Sequence, residues 1–148
     1  MTVISRIFTG AVIRNSINKE ITTLKYSDFI YFILAEVDKN HPTSIEYWFR
    51  VMDLDGDGRL SMDELQYFYN GILEKLIKAQ VEVMSFCDVI CLLIDIIKPQ
   101  SEIYITLGDI KKSSMSTYFF NTFINWVKYY IQECNDSNQK VFSYSKNN

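Results

Sequence analysis

The segment DLDGDGRLSMDE, residues 53–64, sets carboxylates at Asp53, Asp55, Asp57, Asp63 and Glu64 within one short stretch. Like charges at that density repel one another unless a cation sits among them. With Asp53 as position one, Asp55 is three, Asp57 five, Gly58 six, Arg59 seven, Ser61 nine and Glu64 twelve. Every position of the pattern D-x-[DN]-x-[DN]-G-x5-E, an EF-hand calcium loop, is filled. Calcium is a hard cation that takes about six to eight oxygens in loose geometry. Asp53, Asp55 and Asp57 would each offer a carboxylate oxygen, and Glu64 would close the site with both of its own. Arg59 would contribute only its backbone carbonyl, and Ser61 would act directly or through a water. Gly58 lets the chain turn because it has no Cβ to forbid positive φ. An acidic turn that merely caps a helix would need only the DGDG, not the complete register. Leu60, at position eight, is where loops of this kind pair through a short strand.

Such a loop must be held between two helices, and the flanks supply them. Ile45, Phe49 and Met52 precede it and Leu65, Phe68, Tyr69 and Ile72 follow, each set forming one apolar stripe at helical spacing. In HPTSIE, Thr43 is the expected N-cap, with Glu46 completing a capping box. Gly71 falls inside the exit helix, which is expected to end or bend there.

Two echoes of the loop lie elsewhere. Residues 17–28 place Leu24 at position eight and Asp28 at twelve, but Ile17, Lys19 and Ile21 occupy ligand positions. This loop should hold no calcium, and a strand around Leu24 is expected to pair with the one around Leu60. Residues 98–109 place Ile105 at eight and Asp109 at twelve, with Lys98 at one and Ile103 in place of the turning glycine. It too should be dead. Helices are expected over residues 1–16, through DFIYFILAEVDK, through VEVMSFCDVICLLIDII and over residues 115–133. The last is dense in aromatics, either buried on most sides or partly left for a partner protein. The sequence therefore predicts an all-α fold of EF-hand-type helix-loop-helix units, with one complete calcium loop and two degenerate ones. The expected organisation is a helical domain over residues 1–134, split into an EF-hand pair (1–75) and a degenerate EF-hand with the aromatic helix (76–134). A frayed polar tail, 135–148, would follow.

Composition excludes several classes. At 148 residues and 48% hydrophobic, the chain can bury a core. Gly and Pro are scarce, at 5 and 2, which favours helix. The formal net charge of -3 gives no footprint for nucleic acid or acidic membrane. VISRIFTGAVI is broken by Arg6 and Gly10 and does not read as a signal peptide, and no apolar run reaches membrane-spanning length. Cys87 and Cys91 lie one helical turn apart and are expected to be small buried residues, while Cys134 lies near the polar end. This usage fits a reducing setting, cytoplasmic or also nuclear. His41 is the single histidine, and no Cys-His, Ser-His-Asp, HExxH, CxxC or phosphate-loop arrangement exists. No enzyme is expected.

The longer stretch HPTSIEYWFRVMDLDGDGRLSMDELQYFY resembles the B double-prime regulatory subunits of protein phosphatase 2A. The resemblance starts near RIFTGAV, runs through YSDFIYFILAEVDKNHPTSIEYWFR and KPQSEIYITLGDIKKS, and fades in FFNTFINWVKYY. HPTSIEYWFR is the narrower signature, because calcium chemistry does not require it. The resemblance implies an elongated helical EF-hand protein that joins the scaffold and catalytic subunits of the phosphatase and directs it to substrates, with calcium affecting assembly. It implies a live loop at Asp53, Asp55, Asp57, Arg59, Ser61 and Glu64, and a weak later loop at residues 98–109. Family members are longer, and the likeness is to their C-terminal part. Two other readings stay open: a free-standing calcium sensor that opens a groove for a target protein, and a scaffold in which calcium is only a staple.

Overall fold

The computed structural model describes residues 3–8 and 24–145, with side chains as far as residue 136. Local capping chemistry sets where its helices begin. α1 (Val3–Phe8) and α2 (Tyr26–Val37) come first. The backbone N–H of Lys25 donates to Asp28 Oδ2 at 3.2 Å and fixes the start of α2. α3 (Pro42–Met52) is capped by His41, whose Nδ1 accepts from Thr43 N at 3.2 Å. The expected Thr43 cap is thus two residues too late. Pro42, with φ preset and no N–H to satisfy, suits the first helical position and moves the cap back to His41. Glu46, expected to close the box, instead pairs with Lys111 Nζ at 2.7 Å.

β1 (Arg59–Ser61) leads directly into α4 (Met62–Lys78). α5 (Phe86–Ile97), capped by Ser85, is followed by β2 (Tyr104–Thr106) and α6 (Leu107–Ser113). β1 and β2 form a two-stranded antiparallel sheet with Arg59 opposite Thr106, Leu60 opposite Ile105 and Ser61 opposite Tyr104. This corrects the expected pairing within residues 1–75. Leu60 is partnered from residues 98–109, and Leu24 lies in no strand. Tyr104, Ile105 and Thr106 are aromatic or β-branched and fit a pleated surface. Leu24, by contrast, stands immediately before the Lys25–Asp28 cap. Most of the expected loop 17–28 lies outside the described residues.

The aromatic helix is two helices. α7 (Ser116–Ile124) ends at Asn125, which is extended at φ -129°, ψ 97°, and α8 (Trp126–Ser145) begins after it. Asn125 Oδ1 accepts from Lys128 N at 3.2 Å, an N-cap bond, and its Nδ2 donates to Glu36 at 3.1 Å. The break is therefore built by an asparagine. α8 continues to Ser145 through the stretch expected to fray, where neither glycine nor proline interrupts it.

The core lies where α3, α4 and α7 meet the small sheet. Trp48, Leu60, Leu65, Tyr69, Ile105, Phe119 and Phe120 are all essentially fully buried. Buried polar tips are bonded, Trp48 Nε1 to Ala35 O at 2.8 Å and Tyr69 OH to Met84 O at 2.8 Å. On α5 the buried stripe is Val89, Leu93 and Ile97. Cys87 and Cys91 fall on the opposite face and are exposed free thiols, contrary to expectation. α4 runs unbroken through Gly71, because one glycine costs less than the packing of Phe68, Tyr69, Ile72 and Leu76 on either side gives back. Among the described residues, eight helices and a minimal sheet make the fold all-α.

Candidate metal centre

The loop between α3 and α4 is organised by its own carboxylates. Asp53 stands at the C-terminal end of α3, and its N–H donates to Phe49 O at 2.9 Å. Its Oδ1 accepts from Gly56 N at 3.0 Å and its Oδ2 from Gly58 N at 2.9 Å. Asp55 Oδ1 accepts from Asp57 N at 3.1 Å, and Asp57 Oδ1 from Arg59 N at 2.8 Å. Gly56 and Gly58 sit at φ 71° and 78°, where a Cβ would be strained. At the far end Ser61 Oγ accepts from Glu64 N at 3.2 Å and donates to Glu64 Oε1 at 2.9 Å. Glu64 Oε1 also accepts from Ser61 N at 3.2 Å, and its Oε2 accepts from Leu54 N. Glu64 thus spans the loop from its second residue to its ninth.

Four carboxylates converge as a result. One oxygen from each of Asp53, Asp55, Asp57 and Glu64 lies within 4.8 Å of the others. Asp53 and Glu64 are buried at the base, while Asp55 and Asp57 are exposed at the rim. Burial holds the Asp53 carboxyl above the usual range, and the neighbouring Asp55 and Glu64 add to this, against the lowering effect of the Gly58 and Gly56 N–H groups. The N–H of Asp57 holds Asp55 below it. The donor set is all oxygen, with no imidazole or thiolate, so its chemistry fits a hard divalent cation. The Arg59 guanidinium is stacked 4.6 Å from the centre of the Tyr104 ring. That contact ties its charge to β2 and leaves its backbone to the loop.

The expected residues Asp53, Asp55, Asp57, Arg59, Ser61 and Glu64 therefore lie in one loop, four of them with carboxylates pointed at a common centre. The 98–109 loop keeps the frame but only part of the charge: Glu102 and Asp109 stand at positions five and twelve, while Lys98 and Gln100 replace the carboxylates at one and three. Thr106 Oγ1 accepts from Asp109 N at 3.2 Å and Asp109 Oδ2 accepts from Thr106 N at 2.9 Å, repeating the Ser61–Glu64 box. Lys98 stands at its first position in left-handed conformation, φ 51°.

Sequence reasoning missed Arg6. Its Nε donates to Val51 O at 2.9 Å, and its Nη2 donates to Arg50 O at 3.0 Å and Asp53 O at 2.7 Å. No local spacing signals a contact made across more than forty residues. It also missed Glu36, which bonds Lys39 and Lys128, each at 2.7 Å, and so ties α2 to α8.

The EF hand family matches residues 45–69, the loop with most of α3 and the first half of α4. The likeness extends much further than that motif. Most of the chain is similar to B'' regulatory subunits of protein phosphatase 2A. The human B'' beta subunit is 47% identical over 130 residues, 88% of this chain and 23% of the relative. The human B'' alpha subunit is 45% identical over 134 residues, 90% of this chain and 12% of the relative. Mouse B'' delta is 44% identical over 130 residues, which is 26% of its length. A solved structure described as a PP2A PR70 holoenzyme, "diCa", matches with a TM-score of 0.78 and 45% identity, over 86% of this chain and 46% of that one. The chain thus spans about a quarter or less of the length of these B'' relatives. By their names these relatives are regulatory rather than catalytic subunits.

Proposed function

We propose that this chain is the calcium-binding module of a B''-type regulatory subunit. It acts in assembly or substrate targeting of protein phosphatase 2A through the scaffold and catalytic subunits and carries no catalysis of its own. The observation that supports this most is the convergence of four carboxylates in complete EF-hand register, inside a chain that is B''-like over most of its length. One calcium ion is assigned to it, held by Asp53, Asp55, Asp57, the Arg59 carbonyl, Ser61 and Glu64. Bound there, the cation supplies charge that neutralises the cluster. Asp53 belongs to the end of α3 and Glu64 to the first turn of α4, so joining them in one site fixes the angle between those helices. Leu60 and Ile105 carry that constraint into β2 and α6. The test is reconstitution with purified scaffold and catalytic subunits, in calcium and in chelator, of the chain set within a full-length B'' subunit. Calcium-dependent retention that Glu64→Gln removes is the expected result. Equal retention of both proteins in both conditions would contradict the proposal.

A second reading, a free-standing sensor for a target protein, is favoured by α2, whose outer face exposes Tyr26, Phe29, Tyr31, Leu34 and Val37. It predicts that calcium increases binding of an apolar dye. The five methionines are scattered rather than gathered into a groove, which weighs against it. Among the described residues no helix is long and apolar enough to cross a membrane.

A further inference from the structure

The last carbonyls of a helix have no partners within it and form the negative end of its dipole. In α3 that end points straight into the acidic loop, so backbone and side-chain negative charge meet at Asp53. Arg6 lies at this junction. Its planar fork bonds the carbonyls of Arg50 and Val51, the last turn of α3, and the carbonyl of Asp53, the first residue of the loop. Asp53 is then fixed from every side: its N–H by Phe49 O, its C=O by Arg6, and its two carboxylate oxygens by Gly56 and Gly58.

The described part of α1, Val3–Phe8, carries the other end of the clamp. Ile7 buries itself in the core, and Arg6 supplies directional bonds to α3. Order at the first loop position and docking of α1 therefore depend on the same guanidinium.

We propose that Arg6 is a positioning residue for the calcium loop and that, through it, calcium occupancy and the docking of α1 on α3 are linked. The proposal rests on the calcium assignment made above. Linkage is reciprocal: if docked α1 tightens calcium, bound calcium holds α1 down by the same factor. Calcium would then be reported to α1 through α3. Charge alone argues the opposite sign. A cation near the site repels calcium, so a purely through-space role predicts tighter binding once Arg6 is removed. Arg and Lys also separate the two accounts, because an ammonium can restore charge but not a fork that spans three carbonyls.

The experiment compares the 148-residue protein with Arg6→Lys and Arg6→Ala. Each is titrated with calcium by calorimetry, and amide exchange of residues 3–8 is followed in calcium and in chelator. The expected result is a calcium affinity weaker by about tenfold in both variants, within the usual range for two coupled sites. Calcium should slow exchange in α1 of the wild type and have no such effect in Arg6→Ala. Wild-type affinity in Arg6→Lys would overturn the fork, even if Arg6→Ala fails to fold. Unchanged or tighter binding in Arg6→Ala, with the wild type binding normally, would overturn the linkage and leave the calcium assignment standing. A wild type that takes up no calcium would overturn the assignment, and the linkage with it.

Discussion

Residues 53–64 and 98–109 are two versions of one frame. Each ends in a three-residue strand whose last residue is a hydroxyl cap, with an acid three residues further on: Leu60, Ser61 and Glu64 in the first, Ile105, Thr106 and Asp109 in the second. Each buries its central strand residue completely. They differ at the other end, where Asp53, Asp55 and Asp57 correspond to Lys98, Gln100 and Glu102, one carboxylate in place of three. The frame and the ligands are therefore separable. The apolar pair and the caps build the unit, and the N-terminal carboxylates decide whether it calls for a cation. A loop short of ligands still serves as the fixed partner against which the charged loop is held.

The frame should matter equally in both loops. Leu60→Ala or Ile105→Ala removes a fully buried side chain at the pairing site, and each should cost about 2–5 kcal/mol in denaturant unfolding. A large loss for Leu60 and almost none for Ile105 would break the symmetry of the pair.

The ligands should matter in only one. At about a hundred times the dissociation constant, calcium should add about 2.7 kcal/mol to wild-type stability, and chelator should remove it. Glu64→Gln should abolish that difference between calcium and chelator, whereas Asp109→Asn should keep it. Thermal melting of the three proteins in both conditions checks this.

The caps sit between these cases. Ser61→Ala and Thr106→Ala each delete an N-cap and should cost about 1 kcal/mol in chelator. In calcium, Ser61→Ala should lose more, because its hydroxyl also holds Glu64 Oε1. The smallest effect lies outside both loops. A Cβ at Gly71 meets no atom within 4 Å, so Gly71→Ala should raise stability by up to about 1 kcal/mol, alike with and without calcium.

The charged loop was legible because its information is local: ligand spacing, glycine position and cap all lie within residues 53–64. Its partner was not, because Leu24 and Ile105 both stand at position eight and only packing across the chain chooses between them. In hindsight, the Tyr104–Thr106 strand composition and the Lys25–Asp28 cap carry that choice. The break at Asn125 was visible as an N-cap residue inside an apolar run, but the density of aromatics concealed it. The stripe of Val89, Leu93 and Ile97 was enough to put Cys87 and Cys91 outside. Nothing local announces Arg6, because its acceptors are main-chain oxygens and carry no side-chain signature.

The most direct test of the central claim is the stoichiometry of calcium binding to the 148-residue protein, read by calorimetry beside Glu64→Gln. The account predicts one ion per chain, with the heat lost in Glu64→Gln. No heat in the wild type, two ions per chain, or undiminished binding in Glu64→Gln would contradict it.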